Sequence, residues 1–200
     1  MRYLLVLFLG LSLSACVNVP PPTYKEPFAG ILNINAASVP TDQAVNVGLP
    51  MGVIFTDNVE TYLKYSKEGQ ELIQSFGPLT NSVAEADIEP TFVAGRVLSL
   101  LKSYYPDLEL LPDFNQAVAK GKQSVCVIDI QMAAGAMSGD TTRIDISTYF
   151  FDASMTPVSR ISGHGSGVIP YPAFDPQIQA STDMAVGELK AKYANLLQIP

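Results

Sequence analysis

The chain has 200 residues, of which 48% are hydrophobic and 16% charged, so it can form the core of one domain and is not expected to be disordered. Its 12 basic and 19 acidic residues give a net charge of -7, which disfavours a nucleic-acid partner because such partners require clustered cations. One histidine and two cysteines are too few for most zinc and haem motifs, and we expect no metal or cofactor.

The first fifteen residues have the pattern of an export signal. Arg2 carries the only charged side chain there, and residues 4–13 form a mostly apolar run. A helix needs about 20 apolar residues to span a bilayer. The shorter run is typical of the core of a secretory signal peptide, which we place at residues 1–15.

The tetrapeptide Leu13-Ser14-Ala15-Cys16 follows directly. It resembles the lipobox of bacterial lipoproteins, in which one aliphatic and two small residues precede the cysteine that is lipidated. The resemblance implies cleavage between Ala15 and Cys16, a diacylglycerol thioether on Cys16 and usually a further acyl chain on its amine. Two or more acyl chains anchor a protein stably. An ordinary signal peptide with a chance cysteine is the alternative.

The residue after Cys16 bears on the membrane to which such a protein is sorted. In lipoproteins of Gram-negative bacteria an aspartate at this position favours retention in the inner membrane, whereas this chain has Val17. The resemblance therefore implies an outer-membrane protein that faces the periplasm, with the membrane contacted through the lipid anchor on Cys16.

A proline-rich segment follows the cysteine. Pro20-Pro21-Pro22 favours extended polyproline II structure. We expect a tether over residues 16–30, which would hold a single domain, residues 31–200, up to roughly 40 Å from the lipid surface.

In the first half of that domain, Met51–Thr56 predicts a strand. The runs Glu60–Tyr65 and Glu71–Phe76 flank a glycine-containing segment, which favours a hairpin over residues 58–76. One amphipathic helix is the alternative, because the segment contains good helix formers. Apolar residues at helical spacing predict a helix over Pro90–Tyr105, and Leu108–Leu111 predicts a short strand.

In the second half, Ser124–Met132 and Thr142–Phe151 alternate with the period of two residues that strands have. Val158–Gly163 returns the chain after a short turn. Because such short connections cannot cross over to a parallel neighbour, these segments predict an antiparallel meander. Asp175–Leu197 has the pattern of a helix.

This order of elements predicts an α+β fold: an antiparallel sheet of meander and hairpins with two main helices packed on one face. It is broadly similar to periplasmic lipoprotein domains of the curli-secretion-lipoprotein and TolB amino-terminal type, whose glycine-rich strand end and long alanine-rich helix resemble Val158–Leu197. This topological resemblance contains no specific motif and implies no activity.

The stretch Gly163-His164-Gly165-Ser166-Gly167 has two functional interpretations, a backbone nest for an anion and a serine nucleophile beside a histidine. The serine elbow requires glycine two residues before and after the serine, and here His164 and Val168 occupy those positions. A glycine-rich strand end against the last helix is the interpretation we favour.

Acidic residues form two groups. The first lies on the predicted meander and comprises Asp129, Asp140 and Asp145, with Arg143 nearby. Paired carboxylates can cleave glycosides, but solvated strand faces with a cross-strand ion pair are expected. The second group, Glu85, Asp87 and Glu89, lacks the EF-hand spacing that calcium would require.

Two further features concern the predicted strands. Cys126 is expected to be a buried small apolar residue rather than a reactive thiol, since reactive thiols need an electropositive, partly exposed setting. Tyr149 and Phe151 would form a docking surface if the helices cover only the opposite face of the sheet. A cover by Ile31–Val47 is the alternative.

These patterns predict a non-catalytic envelope lipoprotein that binds an unidentified envelope protein or component. The alternatives are a carrier of an apolar ligand in a groove between sheet and helices, and a carboxylate-dependent envelope hydrolase. A deep apolar cavity would favour the carrier, and two acidic groups across a cleft would favour the hydrolase.

Overall fold

The computed structural model describes residues 22–29, 32, 34–47, 49–76, 91–133, 141–168 and 175–198. The signal peptide, the lipobox with Cys16, and the residues Glu85, Asp87, Glu89 and Asp140 lie outside these ranges.

A five-stranded sheet forms the centre of the domain. Its strands, in chain order, are β2 (Met51–Phe55), β3 (Leu108–Leu110), β4 (Ser124–Ala133), β5 (Thr141–Asp152) and β6 (Pro157–Val168). Their spatial order is β3-β2-β4-β5-β6. A separate two-stranded sheet pairs β1 (Val45–Asn46) with β7 (Leu197–Gln198) in parallel.

The sheet is mixed, so the prediction of an antiparallel sheet is wrong. The pairs β4–β5 and β5–β6 are antiparallel as the meander predicted, but β2 runs parallel to both β3 and β4. Two helices, α1 (Asp57–Phe76) and α2 (Phe92–Tyr104), lie between β2 and β3 in the chain. Such a helical crossover lets the next strand start at the same end of the sheet.

Helix α1 replaces the hairpin predicted over residues 58–76. It is one helix of 20 residues that begins with Asp57 and Glu60 in its first turn, where acidic side chains stabilise the helix dipole. Val59, Tyr62 and Ser66 are buried at helical spacing. The helix-forming residues between the aromatic ones therefore outweigh the glycine that suggested a turn.

Both faces of the sheet are covered, and more helices are present than the two predicted. The described chain contains four α-helices, the remaining two being α3 (Phe114–Ala119) and α4 (Asp175–Leu196). The core cluster that contains Cys126 and Ile128 of β4 also contains residues of α1, α2 and α4. The second cluster contains Val125 and Val127, from the opposite face of β4, and residues of α3.

Much of the chain before β1 also packs on this second face, including Phe28, Ala36 and Val39, whereas Tyr24 packs against the first cluster. We call residues 22–44 the strap, of which 30, 31 and 33 are outside the described ranges. Phe28 of the strap is fully buried, and Thr41 forms a parallel bridge to Arg160 at the outer edge of β6. The described part of the expected tether, residues 22–29, therefore belongs to the domain, which begins before residue 31.

The strap is also braced internally. The carboxylate of Glu26 accepts hydrogen bonds from the backbone N–H groups of Phe28 at 2.8 Å and Ala36 at 2.6 Å. One side chain thereby ties two parts of the strap that lie ten positions apart in the sequence.

In the described part of the chain, no helix combines the length and the apolar character needed to traverse a bilayer.

The glycines of β6 allow α4 to approach the sheet closely. A methyl group at Gly163 would overlap the backbone carbonyl oxygen of Ala185, and one at Gly165 would overlap that of Ser181. The two positions point to the same face of β6 because strand residues alternate. Helix backbone therefore lies directly over strand backbone at both.

We expect Gly165→Ala to destabilise the domain by about 3 kcal/mol, because the new methyl group must push α4 away from β6. Gly187→Ala on the same helix is the matched control. Its methyl group would enter open space, and we expect a gain of about 0.5–1 kcal/mol from helix propensity. Urea denaturation measures both changes. Equal stability of Gly165→Ala and the wild type would contradict the close approach.

Candidate functional site

The strap meets the sheet at the last residues of β4. The hydroxyl of Tyr24 donates a hydrogen bond to the carbonyl oxygen of Met132 at 2.7 Å and accepts one from the N–H of the same residue at 2.6 Å. One phenol therefore satisfies both backbone polar groups of Met132. These hydrogen bonds fix the point at which the N-terminal chain joins the fold.

A buried carboxylate lies beside this junction. Asp129 is 3% exposed, and its Oδ1 accepts hydrogen bonds from Thr56 at 2.6 Å and from Asn58 at 2.8 Å. Gln131 donates to Oδ2 at 2.9 Å. Asn58 also bonds the backbone of Lys25, accepting from its N–H at 2.8 Å and donating to its carbonyl at 2.9 Å. The strap is thereby connected to the carboxylate through one amide.

Burial governs the protonation of these groups. It raises the pKa of Asp129, and the hydrogen bonds from Thr56, Asn58 and Gln131 oppose this effect without cancelling it. Burial also raises the pKa of Tyr24 to about 12, so this phenol stays neutral. All three donors to Asp129 are uncharged side chains, so no cation compensates the carboxylate in this network.

We expect Asp129→Ala to destabilise the domain by about 3 kcal/mol, because the buried donors Thr56 and Asn58 and the half-buried Gln131 would lose their acceptor. Asp129→Asn keeps one acceptor oxygen and should cost about 1 kcal/mol at neutral pH.

The difference between wild type and Asp129→Asn should depend on pH with a defined sign. A raised pKa means that the folded state binds the proton more tightly than the unfolded state. The resulting stabilisation is complete below the unfolded-state pKa and is lost as pH rises through the folded-state pKa. In urea denaturation, wild type should therefore gain stability relative to Asp129→Asn as the pH falls from neutral to about pH 4, the usual pKa of an unfolded aspartate. The opposite trend would mean that the carboxylate is held ionised.

Phe28 of the strap covers the proposed docking surface. Its ring makes edge-to-face contacts with Tyr149 and Phe151, with centroid distances of 4.8 and 5.7 Å, and Phe114 of α3 contacts Phe151 at 5.2 Å. Tyr149 is 3% exposed and Phe151 is 1% exposed. The prediction that these two residues form an exposed docking surface is therefore wrong.

The glycine-rich stretch is a regular part of β6 rather than an anion nest. Gly163, Gly165 and Gly167 pair in register with Ile146, Ile144 and Thr142 of β5. A nest needs successive backbone N–H groups that converge on one point, whereas neighbouring N–H groups of a strand point in opposite directions. The N–H of His164 donates to Glu188 at 2.8 Å.

His164 belongs to a cluster that the sequence alone did not reveal as a unit. We define the polar cluster as Arg143, Asp145 and His164. Asp145 Oδ2 contacts Arg143 Nε at 2.6 Å, and its Oδ1 contacts His164 Nδ1 at the same distance. Cross-strand pairing places His164 directly opposite Asp145, so strand register is the signal that would have joined them. Ser166 lies opposite Arg143 on the same face.

The two described carboxylates of the predicted group, Asp129 and Asp145, are not direct cross-strand partners. Asp129 pairs across the strands with Ser147, whereas Asp145 pairs with Gln131. Asp129 is buried and accepts hydrogen bonds from uncharged side chains. Asp145 contacts both Arg143 and His164. Cys126 is fully buried, and burial raises the pKa of its thiol, as expected of an unreactive cysteine.

Two side chains of α4 form hydrogen bonds with the backbone of the edge strand β6. Lys192 Nζ donates to the carbonyl of Ser162 at 2.7 Å, and Glu188 accepts from the N–H of His164. The two side chains also form an ion pair at 2.9 Å, one helical turn apart. Burial by itself raises the pKa of Glu188, but hydrogen bonds from Lys192 and His164 outweigh it and bring this pKa below its usual value.

No family model matches the chain, and no curated protein matches it. Solved structures with some likeness include two PelC dodecamers from Paraburkholderia phytofirmans. For the first, the sequence identity is 10% and the TM-score is 0.45, and the match covers 78% of this chain and 96% of that chain. The other is 12% identical with a TM-score of 0.44, covering 79% and 94%. The hypothetical protein CT253 from Chlamydia trachomatis is 11% identical with a TM-score of 0.34, covering 77% and 91%. Likenesses this distant carry no argument about this chain.

Proposed function

We propose that this protein is an envelope lipoprotein, anchored in the outer membrane through acyl chains on Cys16 and facing the periplasm. Its domain acts as a non-catalytic module that binds an unidentified envelope protein or component. The observation that carries the proposal is the tetrapeptide Leu13-Ser14-Ala15-Cys16 directly after a short apolar run.

The strap bears on how such an anchor would hold the domain. Tyr24 is bonded to the end of β4, and it lies eight positions after Cys16 (24 minus 16). An extended chain spans about 3.6 Å per residue, so Cys16 would lie within about 29 Å of Tyr24. This reach is shorter than that of a free tether to residue 30. The anchor would therefore keep the end of β4 within about 29 Å of Cys16.

Three groups that were considered for catalysis are poorly placed for it in the described chain. A catalytic acid, base or nucleophile must reach its substrate. Asp129 and Cys126, whose pKa values are raised, are buried. Asp145 is engaged by two neighbours and has no second carboxylate as its cross-strand partner.

We expect Cys16→Ser to abolish incorporation of a labelled fatty acid, because the thioether cannot form on serine. The variant should also leave the membrane fraction. Cys126→Ala removes the only other cysteine and is the matched control, which should incorporate the label at the wild-type level. Metabolic labelling with an alkyne fatty acid and membrane flotation measure both properties. Undiminished labelling of Cys16→Ser would refute the lipid anchor.

Sorting gives a separate prediction. In a Gram-negative host, Val17→Asp should move the protein from the outer-membrane to the inner-membrane fraction of a sucrose gradient, since it places aspartate directly after Cys16. Val19→Asp introduces the same charge two positions further on and should leave the distribution unchanged. If Val17→Asp stays in the outer-membrane fraction, the proposed sorting is wrong, whereas the anchor itself is not affected.

A further inference from the structure

The polar cluster lies next to the point where the strap joins the sheet. Arg143 is the cross-strand partner of Ala133, and the preceding residue, Met132, holds Tyr24. Asp145 and His164 follow on the same face of β5 and β6. The cluster and the N-terminal chain therefore occupy the same end of the sheet.

In the polar cluster, the side chains of Arg143 and His164 are exposed to solvent, and the carboxylate of Asp145 between them is partly shielded. The side chain of Asp145 is 24% exposed, whereas those of Arg143 and His164 are 65% and 56% exposed. Asp145 contacts Arg143 through Nε, which orients the guanidinium and leaves its two terminal amino groups without a hydrogen bond to any described residue. A guanidinium held in this way suits the bidentate recognition of phosphate oxygens.

His164 adds a second donor when it is protonated. Its Nδ1 contacts Asp145, and in the imidazolium form Nε2 also carries a proton, which can be donated to an anion. The charged groups around it are Asp145 and Arg143 on β5, and Glu188 with its partner Lys192 on α4. The negative and positive charges in this described set are equal in number, so protonation of His164 makes the net charge of the set positive.

We propose that Arg143 and His164 form a binding site for the phosphodiester of phospholipid headgroups, in the membrane that carries the anchor. The inference rests on the proposed function, because the anchor would bring this end of the domain to the lipid surface. Tethering also raises the effective concentration of headgroups at the site, so a weak contact suffices to orient the domain.

The test uses the mature chain with Cys16→Ser, which has no acyl group, and vesicles of phosphatidylglycerol and phosphatidylcholine at low ionic strength. Flotation should show binding of this parent chain. Arg143→Gln should weaken binding about five-fold, the effect of removing one cation at an anionic surface. His164→Gln should also weaken binding, because it removes the second donor.

Arg96→Gln is the matched control. Arg96 is an exposed arginine on α2, over the opposite face of the sheet, and it pairs with Asp183 of α4. Its removal changes the net charge by the same amount and should leave vesicle binding unchanged. The NMR signal of the ring of His164, the only histidine, should shift when vesicles are added to the parent chain and not when they are added to Arg143→Gln.

Three results would overturn the inference: no vesicle binding, an equal loss in Arg96→Gln, or a response of His164 to inorganic phosphate without one to vesicles. None of them depends on acylation, since the chain tested carries no lipid. Failure of labelling at Cys16 would instead remove the proposed function and leave the phosphate measurements standing.

Discussion

The burial of one carboxylate without a cation is the constraint on which much of this structure depends. Asp129 is stable in its place only because Thr56, Asn58 and Gln131 each donate to it, and these residues come from the β2–α1 junction and from β4. Asn58 then bonds the backbone of the strap on its other side. One set of hydrogen bonds thus holds together the parallel part of the sheet, the first helix and the N-terminal chain. Phe28, which covers Tyr149 and Phe151, follows three residues after Lys25 in the same strap.

The sequence predicted those elements whose pattern is local. The alternation in Ser124–Met132 and Thr142–Phe151 correctly indicated β4, β5 and the antiparallel pairing between them. The segment after β2 was predicted wrongly as a hairpin, because its aromatic residues and its glycine fit a turn between strands as well as they fit a helix. The predicted hairpin would have separated β2 from the helix Pro90–Tyr105, so β2 was not expected to be joined to β3 by helices alone and to run parallel to it.

The site was harder to predict than the fold because its contacts join distant parts of the chain. Tyr24 meets a residue 108 positions later, and nothing in the proline-rich composition around it indicates that partner. On sequence alone, Asp145 groups with Arg143, whereas His164 is considered separately, as part of the glycine-rich stretch. Only the register of β5 against β6 places His164 opposite Asp145, and register depends on the turn and on both buried faces of the sheet.

The outer edge of β6 has a consequence for proteins held together on a surface. An unpaired edge strand is a template for adding a strand from another molecule, and anchoring in a bilayer would confine neighbouring copies to two dimensions. In this domain the strap bonds both backbone groups of Arg160, and side chains of α4 bond Ser162 and His164. The elements that complete the fold thus occupy four backbone groups along this edge, and these four groups cannot accept a strand from a neighbouring copy.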